Sequence, residues 1–479
     1  MAGFRLTTKV QVSGWRFLMR RLEHAIVRRD TRMFDDPLSF YSRSAGAGIL
    51  VAVLILVGCL ALAYFKPQGK LDGNLFVDNA TKQLFVLVGD RIRPVYNLTS
   101  ARLVLGKPDQ PASVRSSELD KLPRGQSIGI PGAPYATPVS PDPSPNWALC
   151  DTVNTVDSPD PSVQTSVISM PLVIGTDDPF HPQGVLMTTY QDQTWVITPN
   201  GRHATDLGDR ALTLALGIPQ NTRPSPLSDA MFNAIPDAGP WKLPPIPGAG
   251  GPNTLGLPAE LVIGAVFQID SGFGKQSFVV LPDGVAAVNA NTASLLRARE
   301  SYGLVNTPSI VKSEVAKIPE RQYPSPLPDE AVKLVSRKEE PVLCWTWQRV
   351  AGEPAPRTTM LLLPHLPIAP SAMDKGISQV RGSVTVYLDG GKYLQIQSPD
   401  PRYGESLYYV DPQGVRYGVP DQATAQTLGL SAPTTAPWWA VRLLVEGPVL
   451  SRQAALLEHD TLPADPNPRK LPAPAGASG

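Results

Sequence analysis

Residues 45–65 form a run of 21 positions without a single charge. As a helix this run would rise about 30 Å, the thickness of a bilayer's hydrocarbon core. Phe40, Tyr41, Tyr64 and Phe65 flank it as interfacial aromatics do, and Lys66 and Pro67 follow at once. A cleaved signal peptide would need a shorter basic leader and an apolar core of about 7–15 residues. Both are exceeded, so the sequence predicts an uncleaved single anchor. The competing reading is the buried helix of a soluble protein.

Charge divides at this anchor. Residues 1–44 carry a net +5 and the remainder a net −4, although the whole chain is only +1. Basic residues before the span place the N-terminus in the cytoplasm and the bulk of the chain outside. The balanced total argues against a nucleic-acid partner. Upstream of the span, Trp15, Leu18, Leu22 and Ile26 recur at helical spacing, with Arg16, Arg20, Arg21, Arg28 and Arg29 on the other faces. That is a basic amphipathic helix, suited to the anionic inner leaflet or to a cytoplasmic partner. The residues leave both readings open.

Proline is abundant in the exterior part: the chain holds 52 Pro and 39 Gly in 479 residues. This is about twice ordinary proline usage and argues against a mostly helical body. Four stretches share one plan: a β-rich run, a turn, a short strand, a helical run closing on a Gly step, and later a residue before Pro. Their turn glycines are Gly89, Gly201, Gly284 and Gly414. The helical runs close at Leu105-Gly106, Leu216-Gly217, Tyr302-Gly303 and Leu428-Gly429, and the Pro steps are Leu122-Pro123, Ile235-Pro236, Ile318-Pro319 and Gly447-Pro448. Pro-Asn-Gly, Pro-Asp-Gly and Pro-Gln-Gly are turn tripeptides, in which Pro presets φ and Gly supplies positive φ. Copies two to four also show an earlier strand, at 185–190, 265–269 and 384–388. Asp389-Gly390-Gly391 has a hairpin-turn composition.

Two long insertions separate these copies unevenly, and each holds one cysteine. Cys150 lies 61 residues after Gly89 and Cys344 lies 60 after Gly284. Strand candidates follow at 167–174 and 359–363. A lone exterior pair in an oxidising compartment predicts a disulfide. Cys59 falls inside the span and reads as a small apolar residue.

The expected fold is therefore a single N-terminal transmembrane helix plus an elongated α+β extracytoplasmic region. Its core would be β-rich and pseudo-two-fold, with four small αβ repeat modules. The boundaries are a cytoplasmic basic segment 1–44, the span 45–65, module one 75–133, core segment A 134–184 and module two 185–250. Module three follows at 265–330, core segment B at 331–383, module four at 384–460 and a Pro-rich tail at 461–479. The two halves would meet with Cys150 and Cys344 near the pseudo-axis.

Catalytic signals are sparse. Gly274-Lys275-Gln276 and Gly391-Lys392-Tyr393 lack the Ser/Thr and upstream Gly of a P-loop. Ser127 matches G-x-S-x-G by letters, but Ile130-Pro-Gly-Ala-Pro134 follows where a nucleophile elbow needs a helix. His24, His181, His203, His365 and His459 are scattered, with no pair at zinc-ligand spacing. Asn97-Leu98-Thr99 matches a glycosylation sequon, and Thr99 equally reads as a helix start. No catalytic, cofactor or metal residue is assigned from the residues themselves.

Several stretches resemble the EccB family, the single-span component of mycobacterial type VII (ESX) secretion systems. They are 6–17, 20–25, 96–103, Gly129-Ile-Pro-Gly-Ala-Pro134 and Ser398-Pro-Asp-Pro-Arg402. The resemblance covers essentially the whole chain and leans toward the founding ESX locus. It implies a structural core subunit of an inner-membrane export complex, with a disulfide-bonded periplasmic core and four repeats. Implied partners are EccC, EccD, EccE, the mycosin protease, further copies of itself, the membrane and peptidoglycan. The resemblance also implies an ATPase activity and ATP as a ligand, for which the residues show no site.

Overall fold

The computed structural model describes residues 8–32, 37–65, 71, 73–154, 161–174, 184–270, 274–350, 353, 355–380, 382–397, 405–463 and 468. Lys66 and Pro67, His181, 398–402 and all of the tail beyond 463 except 468 lie outside the described residues. Two compact units divide the chain: 1–73 with 78–81 and 112–121, and 74–77 with 82–111 and 122–479.

The first unit contains two long helices, Lys9–Arg28 and Pro37–Phe65. Thr8 and Gln11 form a capping box on the first, and Arg29 closes it in the left-handed region at φ 55°. Ser44–Leu62 in the second helix is long and apolar enough to cross a membrane by length and composition. Its described side chains are all exposed, as lipid-facing residues are in a chain by itself. The same unit holds the turn 78–81. There Asp78 accepts from Ala80 N, Thr81 Oγ1 and Ser116 Oγ, and Asn79 N donates to Val114 O.

The second unit contains a central sheet and smaller ones. The central order is Arg357–Leu363, Val342–Gln348, Asn146–Asn154, Ser162–Ser169, Val384–Leu388, Ile377–Ser378. Strand periodicity sends alternate side chains to opposite faces. Trp147, Leu149, Leu343, Trp345 and Trp347 therefore line one face, and Ala148, Cys150, Val342 and Cys344 the other. Both faces are covered, which is why these strands read as continuous apolar runs.

Three antiparallel strands begin each small sheet: Leu75–Asp78, Leu84–Val88 and Arg91–Val95; Gly184–Tyr190, Gln193–Thr198 and Gly201–Ala204; Val266–Asp270, Lys275–Leu281 and Gly284–Val288; Lys392–Gln397, Leu407–Val410 and Val415–Val419. A helix follows the third strand each time: Leu98–Leu105, Arg210–Ala215, Ala290–Arg299 and Gln422–Leu428. Asn97, Asp209, Asn289 and Asp421 cap these helices by accepting from the N–H three residues on. Such caps occupy donors that the first helical turn leaves unpaired. In the second, third and fourth sheets a short segment returns parallel to the first strand: Ser225–Pro226, Ser309–Ile310 and Thr434–Pro437. A later segment then lies parallel to the third strand: Ser127–Ile128, the Asp237 bridge, Glu320–Arg321 and Val445–Glu446.

Several sequence expectations are corrected by this pairing. The strand Val384–Leu388 lies parallel to Ser162–Ser169 in the central sheet, and the fourth small sheet starts at Lys392. Asp389-Gly390-Gly391 thus links two sheets and is not a hairpin turn. The first small sheet has its own leading strand, Leu75–Asp78, which the sequence reading omitted. The strand expected at 167–174 is Ser162–Ser169 instead. The third helix ends at Arg299, before Tyr302-Gly303, whereas Gly106, Gly217 and Gly429 take positive φ at or just beyond their helix ends.

Gly284 also differs from its expected role. It lacks the positive φ of Gly201 (140°) and Gly414 (81°). A Cβ there would overlap the carbonyl oxygen of Pro319, which accepts the N–H of Val285 at 3.0 Å. The glycine is needed because a chain passes against it, and the apolar-Pro step downstream is that chain. At Gly201 the same approach brings Pro236 O to 2.5 Å of a would-be Cβ.

Helices join the small sheets in pairs. Ala101, Leu103 and Val104 pack with Tyr417, Val419, Ala425 and Leu428, tying the first sheet to the fourth. Leu212, Ala215 and Leu216 share a core with Leu295, tying the second to the third.

Candidate functional site

The strands Asn146–Asn154 and Val342–Gln348 pair antiparallel over seven positions, from Asn146↔Gln348 to Thr152↔Val342. Cys150 stands directly opposite Cys344, and Trp147 opposite Trp347. The cysteines form a disulfide with Cα atoms 4.1 Å apart, and both are fully buried. Two segments 194 residues apart are thereby covalently joined at the middle of the sheet.

Polar clasps fasten small sheets to this centre. Asp151, beside Cys150, is fully buried on the tryptophan face. Its carboxylate accepts from Thr165 Oγ1 at 2.8 Å, Ser228 Oγ at 2.8 Å and Ser228 N at 2.9 Å. Ser228 caps the helix Asp229–Ala234, so the clasp anchors the second small sheet's return segment. Burial pushes the Asp151 carboxyl above its usual range, against the pull of those donors and of Arg337. Arg337 Nη2 donates to Asp151 O at 3.1 Å.

A second clasp sits where the chain passes from the central sheet into the fourth small one. Lys392 Nζ lies 2.6 Å from Asp389 Oδ1 and donates to Ser144 O at 3.3 Å. Asp389 Oδ2 accepts from Ser144 N at 2.9 Å. Lys392 is fully buried, which pushes its ammonium down while Asp389 holds it up. The paired ion offsets a desolvation cost of several kcal/mol. Tyr409 OH donates to Pro138 O at 2.9 Å beside it.

Equivalent positions of the second and fourth sheets carry arginine over aromatic rings. The Arg202 guanidinium lies 4.2 Å from the Phe232 centroid and 5.8 Å from Trp195. Arg416 lies 5.4 Å from Trp438 and 5.7 Å from Tyr408. Each arginine follows its turn glycine, at Gly201 and Gly414, by one or two residues. These partly desolvated stacks contribute roughly 1 kcal/mol each to holding the return helices down.

Arg16, Arg20, Arg21 and Arg28 lie on the helix Lys9–Arg28, with Arg29 at its C-cap. Trp15, Leu18, Leu22 and Ile26 on that helix are all more than half exposed. Ser127 lies in a short strand paired with Glu458–His459, without the strand–turn–helix of an elbow. Asn97 is a buried cap: it accepts from Ser100 N at 2.7 Å and donates to Ile130 O at 3.2 Å. Both ends of its amide are engaged, so Asn97, not Thr99, starts that helix and the sequon is inaccessible. Among the described residues no group of three or more His, Cys, Asp or Glu could hold a metal ion.

Asp151, Ser228 and Arg337 carry no motif in the sequence, and Asp389 and Lys392 stand out there only as a turn and an incomplete P-loop match. The signal for Asp151 was a lone carboxylate inside the apolar run 147–153; for the others the partners are too distant in sequence to suggest one another. The chemistry of this centre is adhesive: buried charges are spent on holding sheets together.

A family model described as "Type VII secretion system ESX-1, transport TM domain B" matches residues 4–464. The chain is 65% identical over 479 residues to the protein named ESX-1 secretion system ATPase EccB1 of Mycobacterium tuberculosis strain H37Rv, covering 100% of this chain and 99% of that one. Among solved structures it resembles a chain of an intact ESX-5 inner membrane complex. That match has a TM-score of 0.76 at 35% identity, covering 98% of this chain and 99% of the other. A chain of the EccB3 dimer from the ESX-3 core complex matches with a TM-score of 0.73 at 31% identity, covering 80% and 100%.

Proposed function

We propose, from the premise that this chain belongs to the EccB family of type VII secretion components, that it is a structural core subunit of an ESX-1-type inner-membrane export complex. One observation carries this reading: the likeness to a chain of an assembled ESX-5 membrane complex runs through anchor and body alike. In this proposal residues 45–65 cross the inner membrane, the N-terminus is cytoplasmic and the bulk is periplasmic. The charge division of +5 before the span and −4 after it supports that orientation.

The four small sheets are read as copies of one module, supported by their shared strand order and helix caps. They form two halves related by a pseudo-two-fold axis near Cys150–Cys344. Pairing of the first sheet with the fourth, and of the second with the third, is what that symmetry requires. The basic helix, through Arg16, Arg20, Arg21, Arg28 and Arg29, docks on the anionic leaflet or on a cytoplasmic partner. EccC, EccD, EccE, the mycosin protease and a second copy of this chain are the proposed partners; the periplasmic sheets meet these or peptidoglycan.

The test is co-purification. Deleting residues 1–44 should release the chain from the other ESX membrane subunits while the anchor remains in the membrane. Unchanged recovery of those subunits removes the docking role. ATP hydrolysis, carried by the relative's name, is the competing proposal. It requires a turnover that follows the purified chain through every fractionation step.

A further inference from the structure

The helix Lys9–Arg28 leaves one face uncovered. At 3.6 residues per turn, Val12, Trp15, Leu18, Met19, Leu22 and Ile26 fall within an arc of about 120°, and all six are exposed. The chain's own packing lies on the other side: His24, opposite the middle of that arc, is the helix's one buried residue.

Charge is arranged around the same arc. Arg16 and Arg21 stand on its two flanks, with Lys9, Arg20 and Arg28 behind them, and Glu23 is the only acid in the helix. Long basic side chains beside an apolar face let that face sink into a bilayer while their cations stay at the headgroups. A protein groove would cover the apolar stripe and leave each flank to be matched separately; a plane of anionic headgroups meets both flanks at once. The chain also holds this helix near a bilayer. Eight residues separate Arg28 from Pro37, where the helix carrying the span begins, and eight residues reach at most about 30 Å. So short a tether raises the effective concentration of the helix at the surface.

We propose that the helix lies in the plane of the anionic inner leaflet, with Trp15, Leu18 and Leu22 immersed and Arg16 and Arg21 on the headgroups. This rests on the reading of 45–65 as a membrane span with a cytoplasmic N-terminus.

Electron paramagnetic resonance of the full chain in lipid nanodiscs tests this, in a Cys59→Ala background; Cys150 and Cys344 are bridged, so an introduced thiol takes the spin label. Labels at Leu18→Cys and Arg20→Cys read the two sides of the helix, and one at Leu54→Cys reads the span. In phosphatidylglycerol discs the labels at 18 and 54 should collide mainly with oxygen, and the label at 20 with a water-soluble nickel complex. In phosphatidylcholine discs the label at 18 should shift toward the nickel complex, with 54 unchanged. A label at 18 that faces water in phosphatidylglycerol while 54 is immersed overturns the docking and leaves the anchor standing. Equal immersion of 18 in both lipids overturns the part given to the arginines. Immersion of 18 that appears only with the other ESX membrane subunits present assigns the face to a protein and also overturns the proposal. A label at 54 that faces water removes the anchor reading, and the docking with it.

Discussion

Replacing both Cys150 and Cys344 by alanine tests how the central sheet is held. The bridge closes a loop across 194 residues of sequence. In the chain-entropy treatment a loop of this length destabilises the unfolded ensemble by about 5 kcal/mol, an upper figure. The seven-position ladder around the bridge does not depend on it, so the native sheet should persist. Both cysteines are fully buried, so two small cavities add to the cost. The expected loss is about 2–5 kcal/mol, with secondary structure unchanged. Guanidinium unfolding of the full chain, followed by tryptophan fluorescence, reads the right place: Trp147, Trp345 and Trp347 pack on the reverse face of these strands. Reductant added to the native wild type should leave the curve unchanged until unfolding exposes the bridge. A loss below about 1 kcal/mol would refute the argument that the cross-link restrains the unfolded chain. A native state already open to reductant would refute the burial on which it rests.

Two further perturbations probe other parts of the fold. Gly284→Ala forces a methyl against Pro319 O and should cost about 1–3 kcal/mol in denaturant unfolding, although φ there is not left-handed. Burial pushes the imidazole of His203 below its usual value, with Gly239 O and Asp237 pulling the other way. The folded state then prefers neutral His203, so its contribution is present above about pH 6.5 and is lost as pH falls below. Urea midpoints at pH 7 and pH 5 should converge in His203→Gln relative to wild type; an identical pH dependence would contradict this.

Local signals made much of the fold legible. The uncharged run and the strand–turn–strand–helix stretches each lie within a few dozen residues, and their turn chemistry and caps act over three or four; the cysteine pair, 194 apart, is legible because only two cysteines follow the span. What failed was assignment between sheets. The run 384–388 has the same apolar alternation whether it joins the central sheet or the fourth small one. Contacts from afar decide it: Lys392 and Asp389 close on Ser144, about 250 residues earlier, and a Cβ on Gly391 would overlap Pro138 O. Gly284 shows the same limit. Its place after Pro-Asp suggests a turn requirement, while the cause is the passage of Pro319. The clasp residues were hidden for this reason too, since Asp151 and Arg337 are 186 apart.

Membership of a membrane export assembly rests on the anchor and the disulfide-centred body together. Electron microscopy of the detergent-solubilised assembly, purified by a tag on this chain, tests it most directly. The expected image is a multi-subunit particle in which the helix 44–62 lies inside the detergent belt and the central sheet stands on its periplasmic side. Particles containing this chain alone, or an assembly with the sheet on the cytoplasmic side, would contradict it.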